Sequence, residues 1–251
     1  MSSVSMQSSA GTDVRPAHPE ISTHVFAGHI GAALAIGRAE RAVNVGVFVA
    51  AALLLDFLLW LFVLLGWESV TIPADFAGTH QPQFAFPYSH GLLASAAWAV
   101  LAGVLALTLC ARLRTRWRVA TLVALAVLSH WVLDALVHRP ELPLAGRGRG
   151  SPLVGLALWN NMPFALTLEA SLVVAGLYLF ISGTKIGRNK SIALVVLSGV
   201  VMAFTAIGMT MAPAPPSTAA MAGSSLVALA VVCALAYWLG TPALDGRFWR
   251  R

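Results

Sequence analysis

The sequence predicts an all-α membrane protein, a polytopic bundle of about six to seven transmembrane helices. Hydrophobic residues fill 58% of its 251 positions and charged residues only 10%, whereas a soluble domain carries roughly a quarter charged residues. The mean hydropathy is +0.80. Because so few charges cannot cover a surface that faces water, the outside of the fold is expected to face lipid.

Seven apolar segments follow one another along the chain. The first, about 25–36, is short for a span and suits a re-entrant or partly inserted helix. The others cover about 43–65, 90–111, 119–137, 162–182, 192–211 and 219–239. We therefore predict a single transmembrane domain over 21–241, preceded by a disordered tail, 1–20, and followed by a short basic tail, 242–251.

The net charge of +6 does not indicate nucleic-acid binding, because the basic residues form short clusters between apolar segments rather than one basic face. This spacing is typical of the positive-inside rule, which retains Lys and Arg on the cytoplasmic side. It predicts a cytoplasmic C-terminus and an outer loop, 66–89, that lacks Lys and Arg. The main clusters are Arg112, Arg114, Arg116 and Arg118; Lys185, Arg188 and Lys190; and Arg247, Arg250 and Arg251.

Six ionisable side chains lie within or at the ends of the predicted spans, where each costs at least about 2.5 kcal/mol at mid-membrane. At about 1.5 Å per helical residue, all six fall in the outer half of the bilayer, although they come from five segments. Independent substitutions would scatter such residues, so we predict one shared pocket. The six are His29, Asp56, His90, His130, Asp134 and Glu169.

His130 and Asp134 share one helix face, because they are four residues apart, and His138 extends that face by a turn. Three histidines and two carboxylates from separate helices suit Zn²⁺, Mn²⁺ or Fe²⁺. Other interpretations stay open for single residues, since an isolated H-x-x-x-D pattern also occurs in helices that bind no metal. His90 at a span end suits the membrane interface, and Glu169 suits a hydrogen bond to a neighbouring helix.

Four motifs occur in a characteristic order within residues 24–145. They are GHIGAALA (Gly28–Ala35), LLLD (Leu53–Asp56), YSHGLLA (Tyr88–Ala94) and LSHWVLD (Leu128–Asp134). This series resembles the bacterial inner-membrane metal-dependent hydrolase family, whose motifs are G-H, P-D-x-D, H-R-G-x-T-H-S and S-H-x-x-x-D. That pattern is in turn distantly similar to zinc-dependent phospholipase C.

The chain departs from the family pattern at several positions. Leu55 replaces the proline before Asp56, Leu58 replaces the second Asp, and Ala85–Phe86–Pro87 stands where the family has H-R-G. These changes remove an Asp and a His from the ligand set, and His138 would partly compensate.

The resemblance implies a membrane-embedded hydrolase of the bacterial inner membrane with a divalent metal, preferentially zinc. The expected substrate is a lipid or lipid-linked phosphoester at the extracytoplasmic side. Asp56 and Asp134 would also act as catalytic carboxylates, Glu169 would orient a histidine, and Arg139 would engage a phosphate. The metal ligands expected by this resemblance are His29, Asp56, His90, His130 and Asp134.

Two other functions fit the same polar residues. A transporter would use them as an intramembrane His/Asp relay for ions or protons. Such a relay needs acidic residues through the whole membrane thickness, whereas the inner half of the predicted spans has almost none. A non-catalytic membrane protein would use the same residues to hold a structural metal.

Overall fold

The protein is described by a computed structural model over residues 27–146, 150–184 and 186–240. The helices of these ranges are α1 (Ala27–Gly37), α2 (Val45–Ala52), α3 (Leu54–Leu64), α4 (Phe76–Thr79), α5 (Leu92–Leu109), α6 (Arg116–Val137), α7 (Met162–Gly183), α8 (Arg188–Thr210) and α9 (Thr218–Leu239). A 3₁₀ helix (Leu158–Asn161) leads into α7. The strands are β1 (Ser69–Thr71), β2 (Gln83–Ala85), β3 (Leu142–Pro143) and β4 (Leu153–Val154).

The prediction of an all-α membrane bundle is confirmed. Helices α5 to α9 are each long and apolar enough to cross a membrane, and α2 with α3 forms a bent pair that is either one broken span or a re-entrant loop. Helix α1 has 11 residues, which is short for crossing a hydrocarbon core of about 30 Å. The described part of the chain therefore has five candidate spans, or six if the bent pair crosses as one. The first apolar segment forms a short helix, as its length predicted.

The second predicted span, 43–65, is not continuous. It divides at Leu53, whose backbone dihedrals of −99° and 4° leave the helical region, and α2 and α3 meet at a bend of 47°. Neither Gly nor Pro marks this position. The last carbonyls of a helix have no intrahelical donor, and that of Ala52 lies 2.6 Å from Nδ1 of His130 on α6.

Helix α1 packs directly against the backbone of α7. A Cβ on Gly31 would overlap the carbonyl of Leu172, and a Cβ on Gly176 would overlap the carbonyl of Gly31. The two helices can approach this closely only because both positions lack a side chain. This approach sets the position of α1 in the bundle.

Two antiparallel hairpins, β1–β2 and β3–β4, cover one end of the bundle. The Phe84 amide of β2 donates to Glu141, next to β3, at 3.3 Å. Gln81 Nε2 donates to the carbonyl of Trp159 in the 3₁₀ helix at 3.0 Å. The arginine-rich turn between α5 and α6 lies at the opposite end, because both helices run the length of the bundle.

Several sequence predictions fall outside the described residues. These are the tails 1–20 and 242–251 and the basic residues Arg147, Arg149 and Lys185.

Candidate metal centre

Five polar side chains from three helices and one turn meet at the hairpin-covered end of the bundle. All are buried, with at most 4% of their surface exposed. Five of the six side chains predicted to share a pocket therefore lie together, without Glu169. The five are His29 on α1, Asp56 on α3, His90 in the turn before α5, and His130 and Asp134 on α6.

Asp134 lies at the centre of this group. Its Oδ1 is 3.2 Å from Nε2 of His29, and its Oδ2 is 3.2 Å from Nε2 of both His90 and His130. The Nε2 atoms of His90 and His130 are 3.1 Å apart. Three potential ligand atoms thus form a nearly equilateral triangle.

The orientation of His130 is fixed by its other ring nitrogen. The carbonyl of Ala52, 2.6 Å from Nδ1, can only accept a hydrogen bond. Nδ1 of His130 therefore carries the hydrogen, and in the neutral ring Nε2 presents a lone pair to Asp134 and His90. This is the form in which an imidazole binds a metal.

His90 is held by Ser89, whose Oγ is 2.8 Å from Nδ1. His90 lies two residues before the start of α5. Burial lowers the pKa of its imidazole to about 4, although Asp134 opposes this change. Its ring is consequently neutral near pH 7.

The triangle has the dimensions of a metal site. Ligands 2.0–2.1 Å from a tetrahedral zinc lie about 3.3–3.4 Å from one another, close to the 3.1–3.2 Å between these three atoms. Ligand atoms of His29, Asp56 and His130 form a second such group, within 4.8 Å of one another. The buried His and Asp residues are therefore able to hold a metal ion.

The charge of the pocket also fits a cation. In the described part of the chain, the ion-pair partners of Asp56 and Asp134 are all histidines. Asp56 Oδ1 lies 3.7 Å from His130 Nε2 and 3.8 Å from His90 Nε2, and its buried Oδ2 has no hydrogen-bond partner. Two carboxylates so far from water are costly without a compensating positive charge.

His138 borders the group rather than joining the triangle. Its Nε2 is 3.9 Å from Asp134 Oδ2, and its Nδ1 is 2.6 Å from Glu141. Helix α6 ends just before it, because Pro140 disfavours helical backbone at Arg139. The Glu141 amide then donates to the carbonyl of Arg139 at 2.6 Å, and this tight turn brings the Glu141 carboxylate back to the imidazole.

Glu169 of α7 contacts the start of α1. Its Oε2 accepts the Gly28 amide at 2.5 Å, and Gly28 is the residue before His29. Because the first amides of a helix lack partners of their own, Glu169 serves as a cap supplied by another helix. The contact of Glu169 is thus with the α1 backbone beside His29, and its role in orienting a histidine stays a prediction. Arg139, predicted to engage phosphate, is partly exposed beside His138.

Three polar residues near the site were not singled out from the sequence. Glu141 could have been found, because it follows His138 by three residues in a loop that turns at proline. Ser89 adjoins a motif histidine and was quoted only as part of the motif. Glu68, which contacts Ser89, carries no local signal because it lies 22 residues before His90 in a predicted loop.

Comparison of the chain with protein-family models, curated proteins and solved structures gives no match. The fold and the geometry of the polar pocket therefore provide the basis for a functional proposal.

Proposed function

We propose that this chain is a membrane-embedded, metal-dependent hydrolase of the bacterial inner membrane. The observation that carries the proposal is the triangle of His90 Nε2, His130 Nε2 and Asp134 Oδ2, with sides of 3.1–3.2 Å. Two histidines and one carboxylate form a common catalytic zinc set, which leaves a fourth position for water or substrate. Zinc is accordingly the preferred ion, with Mn²⁺ or Fe²⁺ as alternatives.

The residues around the triangle have separate tasks. A bound divalent ion would supply Lewis acidity and activate water near neutral pH. Asp56, 3.7–3.8 Å from two of the imidazole nitrogens, would accept a proton as general base or complete the ligand set. His29 Nε2 contacts the other oxygen of Asp134, Oδ1, at 3.2 Å, and so orients that carboxylate.

The proposed substrate is a lipid or lipid-linked phosphoester at the extracytoplasmic side. The pocket lies at one end of a bundle with lipid-facing helices, opposite the arginine cluster between α5 and α6. The positive-inside rule assigns that cluster to the cytoplasm. Arg139 lies at the pocket end, where its guanidinium suits a phosphate. The motif resemblance supports the same substrate class by analogy.

The first experiment measures metal in the detergent-purified protein and in Asp134→Ala. We expect about one zinc per chain in the parent protein and a strong loss in the variant, because Asp134 contacts three histidines. Glu40→Gln serves as the control, since Glu40 is also buried but lies in the turn after α1, away from the pocket. Absence of stoichiometric metal from the parent protein, even after incubation with Zn²⁺, would overturn the proposal.

The second experiment tests hydrolysis itself. The metal-loaded protein is reconstituted into phospholipid vesicles, and release of diacylglycerol and of phosphorylated headgroups is followed. Asp56→Asn should retain most of the metal and lose most of the turnover. A metal-loaded protein that releases neither product from phospholipid or from a polyprenyl phosphate ester would favour a structural metal over catalysis.

A further inference from the structure

We propose that Glu68 is a positioning residue that fixes the tautomer of His90 through the hydroxyl of Ser89. This inference rests on the proposed metal centre, because its consequence is the availability of His90 Nε2 as a ligand. Glu68 lies outside the proposed ligand set and acts on His90 through the Ser89 side chain.

Glu68 is itself firmly held. It follows the end of α3, where its amide donates to the carbonyl of Phe62 at 3.2 Å, and only 3% of its surface is exposed. Its Oε1 accepts the amides of Tyr88 and Ser89, each at 2.8 Å, and its Oε2 accepts the Ser89 hydroxyl at 2.7 Å. A carboxylate that receives three hydrogen bonds uses both of its oxygens as acceptors.

The direction of each hydrogen bond follows from counting hydrogens. The Ser89 hydroxyl has one hydrogen, which it donates to Glu68, so its oxygen is left as an acceptor for Nδ1 of His90, 2.8 Å away. Nδ1 therefore carries the ring hydrogen. Nε2 then presents a lone pair to His130 and Asp134. The same holds for His130, whose Nδ1 donates to the carbonyl of Ala52.

Glu68→Gln reverses this chain while preserving the fold of the turn. The amide oxygen of Gln can still accept the Tyr88 and Ser89 amides, which places its NH₂ group against Ser89 Oγ. The NH₂ then donates to Ser89, and the Ser89 hydroxyl donates to His90 Nδ1. The hydrogen of the neutral imidazole moves to Nε2, which must lose it before it can bind a metal.

The experiment compares zinc affinity by chelator competition in the full-length parent protein, Glu68→Gln and Ser89→Ala. We expect both variants to bind about 10–100-fold more weakly, the usual effect of removing a partner that orients a metal ligand. Glu40→Gln is the matched control, because Glu40 is buried and also accepts a backbone amide, that of Ala42 at 2.9 Å. It should bind zinc as the parent does.

A second measurement reads the tautomer without metal. Nitrogen-15 NMR of histidine-labelled, metal-free protein distinguishes rings protonated at Nδ1 from those protonated at Nε2, and His90→Gln identifies the His90 signals. The inference predicts Nδ1 protonation in the parent protein and Nε2 protonation in Glu68→Gln.

The outcomes separate this inference from the proposed function. A parent protein that binds no zinc would end the metal proposal, and the tautomer shift would then decide the role of Glu68 alone. Parent-like zinc affinity and an unchanged His90 tautomer in a folded Glu68→Gln would overturn the inference while leaving the metal centre in place.

Discussion

Asp56 and Asp134 are both buried carboxylates, but their surroundings differ. Asp134 lies 3.2 Å from three imidazole nitrogens, whereas Asp56 Oδ1 approaches two of them only to 3.7–3.8 Å and its Oδ2 has no hydrogen-bond partner. An incompletely paired buried charge destabilises a fold. The contribution of Asp56 to stability should therefore depend on whether a cation is bound.

Asp56→Asn tests this dependence at a single residue. In chelator the variant should raise the free energy of unfolding by about 1–3 kcal/mol, because a poorly satisfied buried charge is replaced by a neutral amide of similar shape. With Zn²⁺ the same variant should be less stable than the parent, since the carboxylate then interacts with the cation. Thermal unfolding of the purified protein in chelator and in Zn²⁺ measures both effects.

The control for this prediction is Glu40→Gln, which also neutralises a buried carboxylate with an unpaired oxygen. Its effect on the unfolding temperature should be the same in chelator and in Zn²⁺. If the change in unfolding temperature caused by Asp56→Asn also has the same sign and size in chelator and in Zn²⁺, Asp56 does not respond to metal.

The position of helix α1 depends on a few close contacts with α7. It carries His29, its start is capped by Glu169 through the Gly28 amide, and its middle touches α7 at Gly31 and Gly176. Isolated helices of eleven residues are marginal, so α1 depends on its packing against other helices. Backbone contact with α7 therefore places His29 next to Asp134.

Gly176→Ala should displace α1. The added Cβ would overlap the Gly31 carbonyl, and overpacking of this kind costs about 1–3 kcal/mol. We expect a lower unfolding temperature and weaker zinc binding, because His29 moves with its helix. Gly199→Ala on α8 is the control, since a Cβ there has no atom within 4 Å and alanine favours a helix by up to about 1 kcal/mol. Equal behaviour of the two variants would contradict the proposed role of the α1–α7 contact.

The sequence predicted the helices better than the breaks between them. Hydrophobicity identified each long segment because lipid-facing helices must be apolar along their length. The division at Leu53 was missed, since it has neither Gly nor Pro and its cause is tertiary. The Ala52 carbonyl interacts with His130, a residue 78 positions later, and no local pattern reports such a contact.

For the whole molecule, the sequence predicted where the polar side chains meet but not what holds them. Ionisable residues in apolar segments stand out because their burial is costly, so His29, Asp56, His130 and Asp134 were evident. Glu68 and Glu141 lie in loops, where carboxylates are ordinary. Their proximity to His90 and His138 arises from the turns that fold over the bundle, which composition does not reveal.

The orientation of the bundle is the property on which the proposed substrate side depends. The turn between α5 and α6 carries Arg112, Arg114, Arg116 and Arg118, whereas the loop with β1 and β2 at the pocket end has no Lys or Arg. The positive-inside rule therefore predicts that the pocket faces outside. Two exposed positions, Ala111 and Gln83, report on the two ends.

Cysteine labelling in intact cells measures this orientation directly. In a Cys110→Ser, Cys233→Ser background, Gln83→Cys should react with a membrane-impermeant maleimide in intact cells of a bacterial expression host that have a permeable outer membrane. Ala111→Cys, which keeps all four arginines, should react only after the inner membrane is opened.

The background protein without either cysteine controls for unspecific labelling, and labelling of both variants after lysis shows that both sites are reachable. If Ala111→Cys reacts in intact cells and Gln83→Cys does not, the pocket faces the cytoplasm. A hydrolase so oriented would act on the inner leaflet, because the polar cluster and the arginine-rich turn are fixed at opposite ends of the same helices.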